Sequence, residues 1–307
     1  MKPRDILIAS TIGLSSAISP SLTYSAVKVP PSVAGKVGGV LKGAGRTIFG
    51  ADKTTRIAHG IYASMSIAQL SALDERGMDD MAYRYYLSER TKAEDSDKLL
   101  DPERDKDANR VQQITRTIIA TIRQNPEYVD RYNQIKTDIS SGTGWKIMTI
   151  DNPTLNAYCL PGGRMVVYSG LARLLSDDEL AVVISHEIMH AMKGHSFQTA
   201  KESLMKKAAI FAGAAVAGAK SLPVSMGILA EVFTTSTVYS RGHEKEADIS
   251  GLHIAGDAGY NPRAAITLWQ KMEKNQKNGQ PPEILSSHPS HESRERYLRE
   301  EIEKMGK

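Results

Sequence analysis

Between Val111 and Ile122 the apolar residues fall at 111, 114, 118, 119 and 122, one face of a helix, and Pro126 stands where that helix must stop. Upstream, Ile57 to Leu87 carries helical periodicity, with Ile61, Met65, Ala68 and Ala72 on one stripe. Ser88 to Arg110 is dense in charge and contains Pro102, and reads as a solvated linker or exposed helix ends. Gly142 to Gly144 breaks the chain. Trp145 to Ile150 then alternates, and Asn156 to Leu160 and Arg164 to Tyr168 follow around the turn Pro161-Gly162-Gly163. These segments predict a small antiparallel sheet.

After Ser169 the pattern returns to helix. Ser176 with Glu179 three residues on forms a capping box, and Asp177 and Asp178 suit the positively polarised first turn. Leu180, Val183 and Ile184 supply an apolar face, and Gly194 a stop, so the helix runs for about 17 residues. Ala208 to Val232 is apolar and rich in Ala and Gly. Lys220 and Pro223 divide it, and neither half has the ~20 apolar residues of a membrane span. It predicts a pair of buried or amphipathic helices; a mobile apolar flap over a site, or a membrane-surface contact, is the sharper reading. Glu292 to Lys304 predicts one charged helix. The pattern as a whole is α+β and mostly helical, with the small sheet beside the Ser176 helix.

The N-terminus adds a compartment. Lys2 and Arg4 precede the apolar run Ile6 to Ile18, too short to span a bilayer and suited to an export signal. Ser19, Pro20 and the small residues to Ala26 form a cleavage region; a short buried or interfacial helix is the other reading. Residues 1–26 are thus expected to be a signal peptide, 27–105 a leader and helical extension, and 106–307 the main domain. Export is expected, with the periplasm of a Gram-negative bacterium as the expected compartment and membrane association as the alternative.

Composition narrows the chemistry. At 307 residues, 41% hydrophobic and 24% charged, the chain is an ordinary globular protein with a sizeable core. A net charge of +4 without a basic, aromatic-interleaved stripe gives no nucleic-acid partner. Cys159 is the single cysteine, which excludes an internal disulfide and a Cys-built metal site; it reads as a small strand residue. Any metal must be held by His, Asp or Glu.

His186, Glu187 and His190 lie inside the Ser176 helix. Residues four apart share a helical face, so the two imidazoles can converge on one ion, and Glu187 beside that face can act as general base. A shuffled chain of this composition matches the bare pattern only about 0.01 times, which disfavours two incidental surface histidines. A catalytic zinc site needs a third protein ligand. His195 is nine residues from His186, about half a turn away from that face, and is better read as capping the helix C-terminus. Downstream, Glu244 and Asp248 share a face, and from spacing alone Glu244 and Glu246 both remain candidates for the ligand. With Glu244 on the ion, Asp248 can accept the free N–H of a ligand histidine.

Asn156-Ala157-Tyr158, Leu160 to Gly163, Tyr168 to Leu171, His186 to His190, and Ser240-Arg241 with Glu244, Ala247 and Asp248 together resemble the HtpX-like and CAAX-protease-like gluzincin metallopeptidases, family forty-eight, and most nearly their exported bacterial members. The resemblance covers about residues 110 to 300. It implies one zinc ion held by His186, His190 and Glu244, with Glu187 as base and Asp248 behind the ligands. It also implies that Arg164, Met165, Val166, Val167 and Tyr168 form an edge on which an extended substrate adds as a strand. His288 resembles a position that approaches the metal as fourth ligand or occluding residue; a loop histidine before the last helix is the other reading. Arg241, His243 and His288 are candidates to stabilise the developing oxyanion. The resemblance implies a zinc endopeptidase acting on misfolded or stalled cell-envelope proteins, with peripheral association with a membrane or outer-membrane assembly factors. The rivals are a zinc-containing chaperone or assembly factor with little or latent peptidase activity, and a zinc hydrolase of a non-peptide bond.

Overall fold

Ile61–Ser66 (β1) is a strand, where the spacing of its apolar residues predicts helix. The computed structural model describes residues 61–138, 145–214, 221–235, 239–277, 282–288 and 293–306. The expected signal peptide lies outside these residues. β1 pairs antiparallel with Ser221–Ser225, far away in sequence, and such a partner leaves no trace in local spacing. A short helix, Ile67–Ser71 (α1), follows; Asp74 then restarts the chain as Glu75–Asp95 (α2) by accepting the Gly77 amide at 2.9 Å. The charge-dense stretch is therefore largely the outer face of α2 and the loop beyond it.

Leu99–Leu100 (β2), Lys106–Gln124 (α3) and Val129–Asp138 (α4) come next. α3 buries Val111, Ile114, Ile118 and Ile122, the stripe its spacing predicts. Lys146–Ile150 (β3), Ala157–Leu160 (β4) and Arg164–Tyr168 (β5) then complete a sheet in the order β2-β3-β5-β4. β4 and β5 form an antiparallel hairpin, and Gly162 and Gly163 in its turn have φ of +79° and +78°, which side chains disfavour. β5 inserts between β3 and β4, so it runs parallel to β3. The α+β class stands; the sheet is mixed rather than wholly antiparallel.

This insertion also corrects the expected substrate edge. β5 is flanked on both sides, and Arg164, Met165, Val166 and Val167 are buried. Met165 and Val167 pack with α3 on one face, Val166 with α2 on the other, so a central strand covered on both faces produces the same apolar run as an edge strand. Arg164 is fully buried against Asp79 of α2. The edge strands of this sheet are β2 and β4, and β4 is the one that meets Glu187. α2, expected in an extension outside the main domain, packs Met78, Tyr85 and Tyr86 onto Met148, Leu160 and Val166 of the sheet.

The rest is Ser169–Leu174 (α5), Asp177–Met192 (α6), His195–Ala214 (α7), Ser221–Ser225 (β6), Met226–Ala230 (α8), a π-helical turn Glu231–Thr235, Arg241–Asp257 (α9), Ala264–Lys277 (α10), Ile284–Ser287 (α11) and Ser293–Lys304 (α12). The expected helix pair over 208–232 is thus interrupted by β6, where Pro223 is unsuited to a helix interior and the strand finds β1. No described helix is long and apolar enough to cross a membrane.

α6 is buried along its length and packs on α9 at very short range. A Cβ on Gly251 of α9 would lie 2.9 Å from the His186 amide nitrogen and 3.0 Å from its Cα. Those are backbone atoms that cannot swing aside. Gly251→Ala is therefore expected to destabilise the fold by about 1–3 kcal/mol, read as a lower urea midpoint; an unchanged midpoint would show that the helices separate freely.

Candidate metal centre

α6 begins at a complete capping box: Ser176 Oγ accepts the Glu179 amide at 3.3 Å, and Glu179 Oε2 accepts the Ser176 amide at 2.9 Å. α9 begins at Ser240, whose hydroxyl accepts the His243 amide at 3.1 Å. These two starts set the rotation of the two helices that face each other across Gly251. The result brings His186 and His190 of α6, Glu244 of α9 and His288, which follows α11, into one buried group whose ligand atoms lie within 4.8 Å of one another.

The rings are oriented consistently. His186 Nε2 and His190 Nε2 are 3.0 Å apart. Glu244 places Oε1 3.3 Å from His190 Nε2 and Oε2 3.7 Å from His186 Nε2. His288 Nδ1 lies 3.1 Å from His186 Nε2 and 2.9 Å from Glu244 Oε1. Behind the group, His186 Nδ1 faces Asp248 Oδ1 at 2.9 Å. Burial would raise the Asp248 carboxyl, but the Arg294 guanidinium and His186 outweigh it and hold its pKa down to about 2. The carboxylate accepts, so the His186 proton sits on Nδ1 and its Nε2 presents a lone pair to the group.

That lone pair, the Glu244 carboxylate and a second imidazole converge on one point. Burial raises the Glu244 carboxyl as well, yet the surrounding histidines hold it well below the usual carboxylate range. Burial holds His190 well below the usual imidazole range, in the neutral form that binds metal. His288 shows the other side of the same demand. Burial lowers it, but Glu187 and Glu244 raise it to about 10. Two buried carboxylates thus call for positive charge between them. The all-nitrogen-and-oxygen donor set fits zinc.

Glu187 is fully buried. Its Oε2 accepts the Cys159 amide of β4 at 3.2 Å and its Oε1 lies 3.1 Å from His288 Nε2. The helix thereby aims the carboxylate at the edge strand. Ser196 Oγ donates to the Cys159 carbonyl at 3.0 Å, so both Cys159 peptide groups point away from β5.

Other expected residues fall elsewhere. Arg241 is exposed at the first turn of α9, outside the four-residue group. His243 stacks on His195 with ring centroids 4.2 Å apart, also outside it. Of the three candidates for oxyanion stabilisation, only His288 is at the centre. His195 does not cap α6, whose C-cap is Lys193 followed by Gly194 at φ +76°; it opens α7 and meets His190 from behind. Burial and the neighbouring His243 push the His195 pKa down to about 4, against the opposing pull of Glu246.

The sequence predicts the C-terminal helix, Ser293–Lys304, but not its part in this site. Arg294 of α12 donates to Glu244 Oε2 at 3.0 Å and Asp248 Oδ1 at 2.7 Å, and lies 3.6 Å over the Trp269 ring. Tyr297 donates to the other Asp248 oxygen. Tyr239 stacks on His190 at 3.8 Å. Arg294 sits among other arginines in a charged helix, and nothing in local spacing separates it from Arg296 or Arg299.

Residues 124–302 match the model of Peptidase family M48. The chain is 34% identical over 158 residues to the mitochondrial metalloendopeptidase OMA1 of Arabidopsis thaliana, covering 51% of this chain and 31% of that protein. It is 35% identical over 172 residues to the human mitochondrial metalloendopeptidase OMA1, covering 52% and 32%. It is 30% identical over 176 residues to the beta-barrel assembly-enhancing protease of Escherichia coli K12, covering 54% and 35%. The matches span about a third of the length of these relatives.

The buried position of Glu244 and the half-exposed position of Glu246, at 1% and 49%, separate the two acidic candidates. Glu244→Ala is expected to lose its zinc on dialysis and Glu246→Ala to keep it, measured as metal per chain. Zinc kept by Glu244→Ala and lost by Glu246→Ala would reverse the assignment.

Proposed function

We propose, for a chain that belongs to peptidase family M48, that it is a zinc-dependent endopeptidase. The observation that carries the reading is the convergence of His186, His190 and Glu244 on one point, with Glu187 held between that point and the edge strand β4. His186, His190 and Glu244 would hold the ion. Zinc there supplies Lewis acidity toward the scissile carbonyl. Glu187 takes a proton from the attacking water and returns it to the leaving amine, a role that needs a carboxylate within reach of both. Asp248, backed by Arg294 and Tyr297, keeps the His186 lone pair on the inner side.

The substrate adds to β4 as an extended strand. Residues alternate along a strand, so Ala157 presents its peptide groups to the same side as Cys159, away from β5. Recognition through backbone favours unfolded chains over a defined sequence. The physiological substrates we propose are misfolded or stalled cell-envelope proteins, reached by export into the periplasm. Support comes from the basic start and apolar run at Lys2 to Ile18 and from the bacterial relative named as a barrel-assembly protease.

One observation favours a second reading. His288 is 1% exposed and bridges Glu187 and Glu244, 3.1 Å from one and 2.9 Å from the other. A zinc-containing assembly factor with latent peptidase activity would look the same, with His288 as its block.

Cleavage of casein by the purified full chain decides between these readings. Glu187→Gln is expected to lower the rate by about 100–10,000-fold while zinc content stays at the wild-type level. Undiminished cleavage by Glu187→Gln would refute the mechanism. A wild type that suppresses aggregation without cleaving, with cleavage released by His288→Ala, would favour the assembly factor.

A further inference from the structure

We propose that Glu246 and His195 form a positioning relay that fixes the tautomer of the ligand His190. The inference rests on the zinc reading above and extends it to residues which that reading leaves without a role.

Glu246 Oε2 lies 3.2 Å from His195 Nε2. A carboxylate accepts, so the proton of a neutral His195 sits on Nε2. His195 Nδ1 is then a lone pair, and it faces His190 Nδ1 at 3.1 Å. Two lone pairs repel, so His190 must donate from Nδ1. Its Nε2 is left unprotonated, and that atom is the one directed at His186 Nε2 and Glu244. The ionised carboxylate at one end therefore sets the polarity of every bond up to the ligand atom. His186 reaches the same state in one step, through Asp248. Each ligand histidine is thus backed by a carboxylate, one directly and one through a second imidazole.

The surroundings hold the relay in line. His243 stacks on His195 with an interplanar angle of 13°, and Tyr239 stacks on His190 at 21°. Lys193 Nζ is 3.5 Å from Glu246 Oε1, and Ser196, next to His195, is tied to the edge strand. His195 lies outside the four-residue group and acts through His190.

Loss of such an outer partner weakens metal binding by about 10–100-fold. The test measures zinc affinity of the full chain by chelator competition, alongside the unfolding midpoint of the zinc-free chain. His195→Phe keeps a ring to stack on His243 and removes the acceptor. It is expected to bind zinc about 10–100-fold more weakly. Glu246→Gln, at the exposed end, is expected to weaken binding by a smaller factor with an unchanged zinc-free midpoint. In the His195→Phe background, Glu246→Gln should add nothing, because its effect passes through His195. Cobalt-substituted Glu246→Gln should also show a shifted visible spectrum, which a purely structural contact leaves alone. If His195→Phe does not fold, Glu246→Gln and its spectrum carry the test. Wild-type affinity in Glu246→Gln, or equal losses from it in both backgrounds, overturns the relay while leaving the zinc reading intact. A wild type that binds no zinc overturns both.

Discussion

Glu187 and Glu244 are buried to within 1% of complete exclusion from solvent, and the space between them is lined by imidazoles. Removing two carboxylates from water costs several kcal/mol each unless positive charge meets them. The rest of the structure is arranged around that demand. Arg294 answers part of it from outside, fixing the far oxygen of Glu244 and one oxygen of Asp248. The remaining demand falls inside the group, where the Nε2 atoms of His186 and His190 point. A divalent cation satisfies it, and the close contact at Gly251 keeps the ligand-bearing helices near enough to share one ion.

The same constraint explains how far the site was legible in the sequence. His186, Glu187 and His190 lie on one helix, so helical spacing alone places them, and the capping box at Ser176 locates the helix. Glu244 and Asp248 also share a face, yet spacing could not rank Glu244 above Glu246. Burial separates them, and burial depends on how α9 packs against α6. Arg294, Tyr239 and the role of His195 depend wholly on such packing. They act across long sequence separations, where periodicity carries no information.

The sheet teaches a related lesson. Local pattern found β3, β4 and β5, and the turn between the last two, because strand alternation and paired glycines are local signals. Strand order is a tertiary property. β5 reads equally well as edge or centre; the structure puts it in the centre and leaves β4 at the edge, where Cys159 meets Glu187. The base and the strand that would receive substrate are therefore joined by one hydrogen bond. A strand that docks on β4 meets the carboxylate and the metal position together. β1 and β6 were illegible for the opposite reason, since their partners are far apart and their local pattern favours helix.

The central claim is that this buried group is a nitrogen- and oxygen-ligated zinc site. The most direct measurement is X-ray absorption at the zinc edge of the zinc-loaded chain. The account predicts a first shell at about 2.0–2.2 Å with at least two imidazoles and a carboxylate oxygen. A shell with one imidazole or none would contradict it.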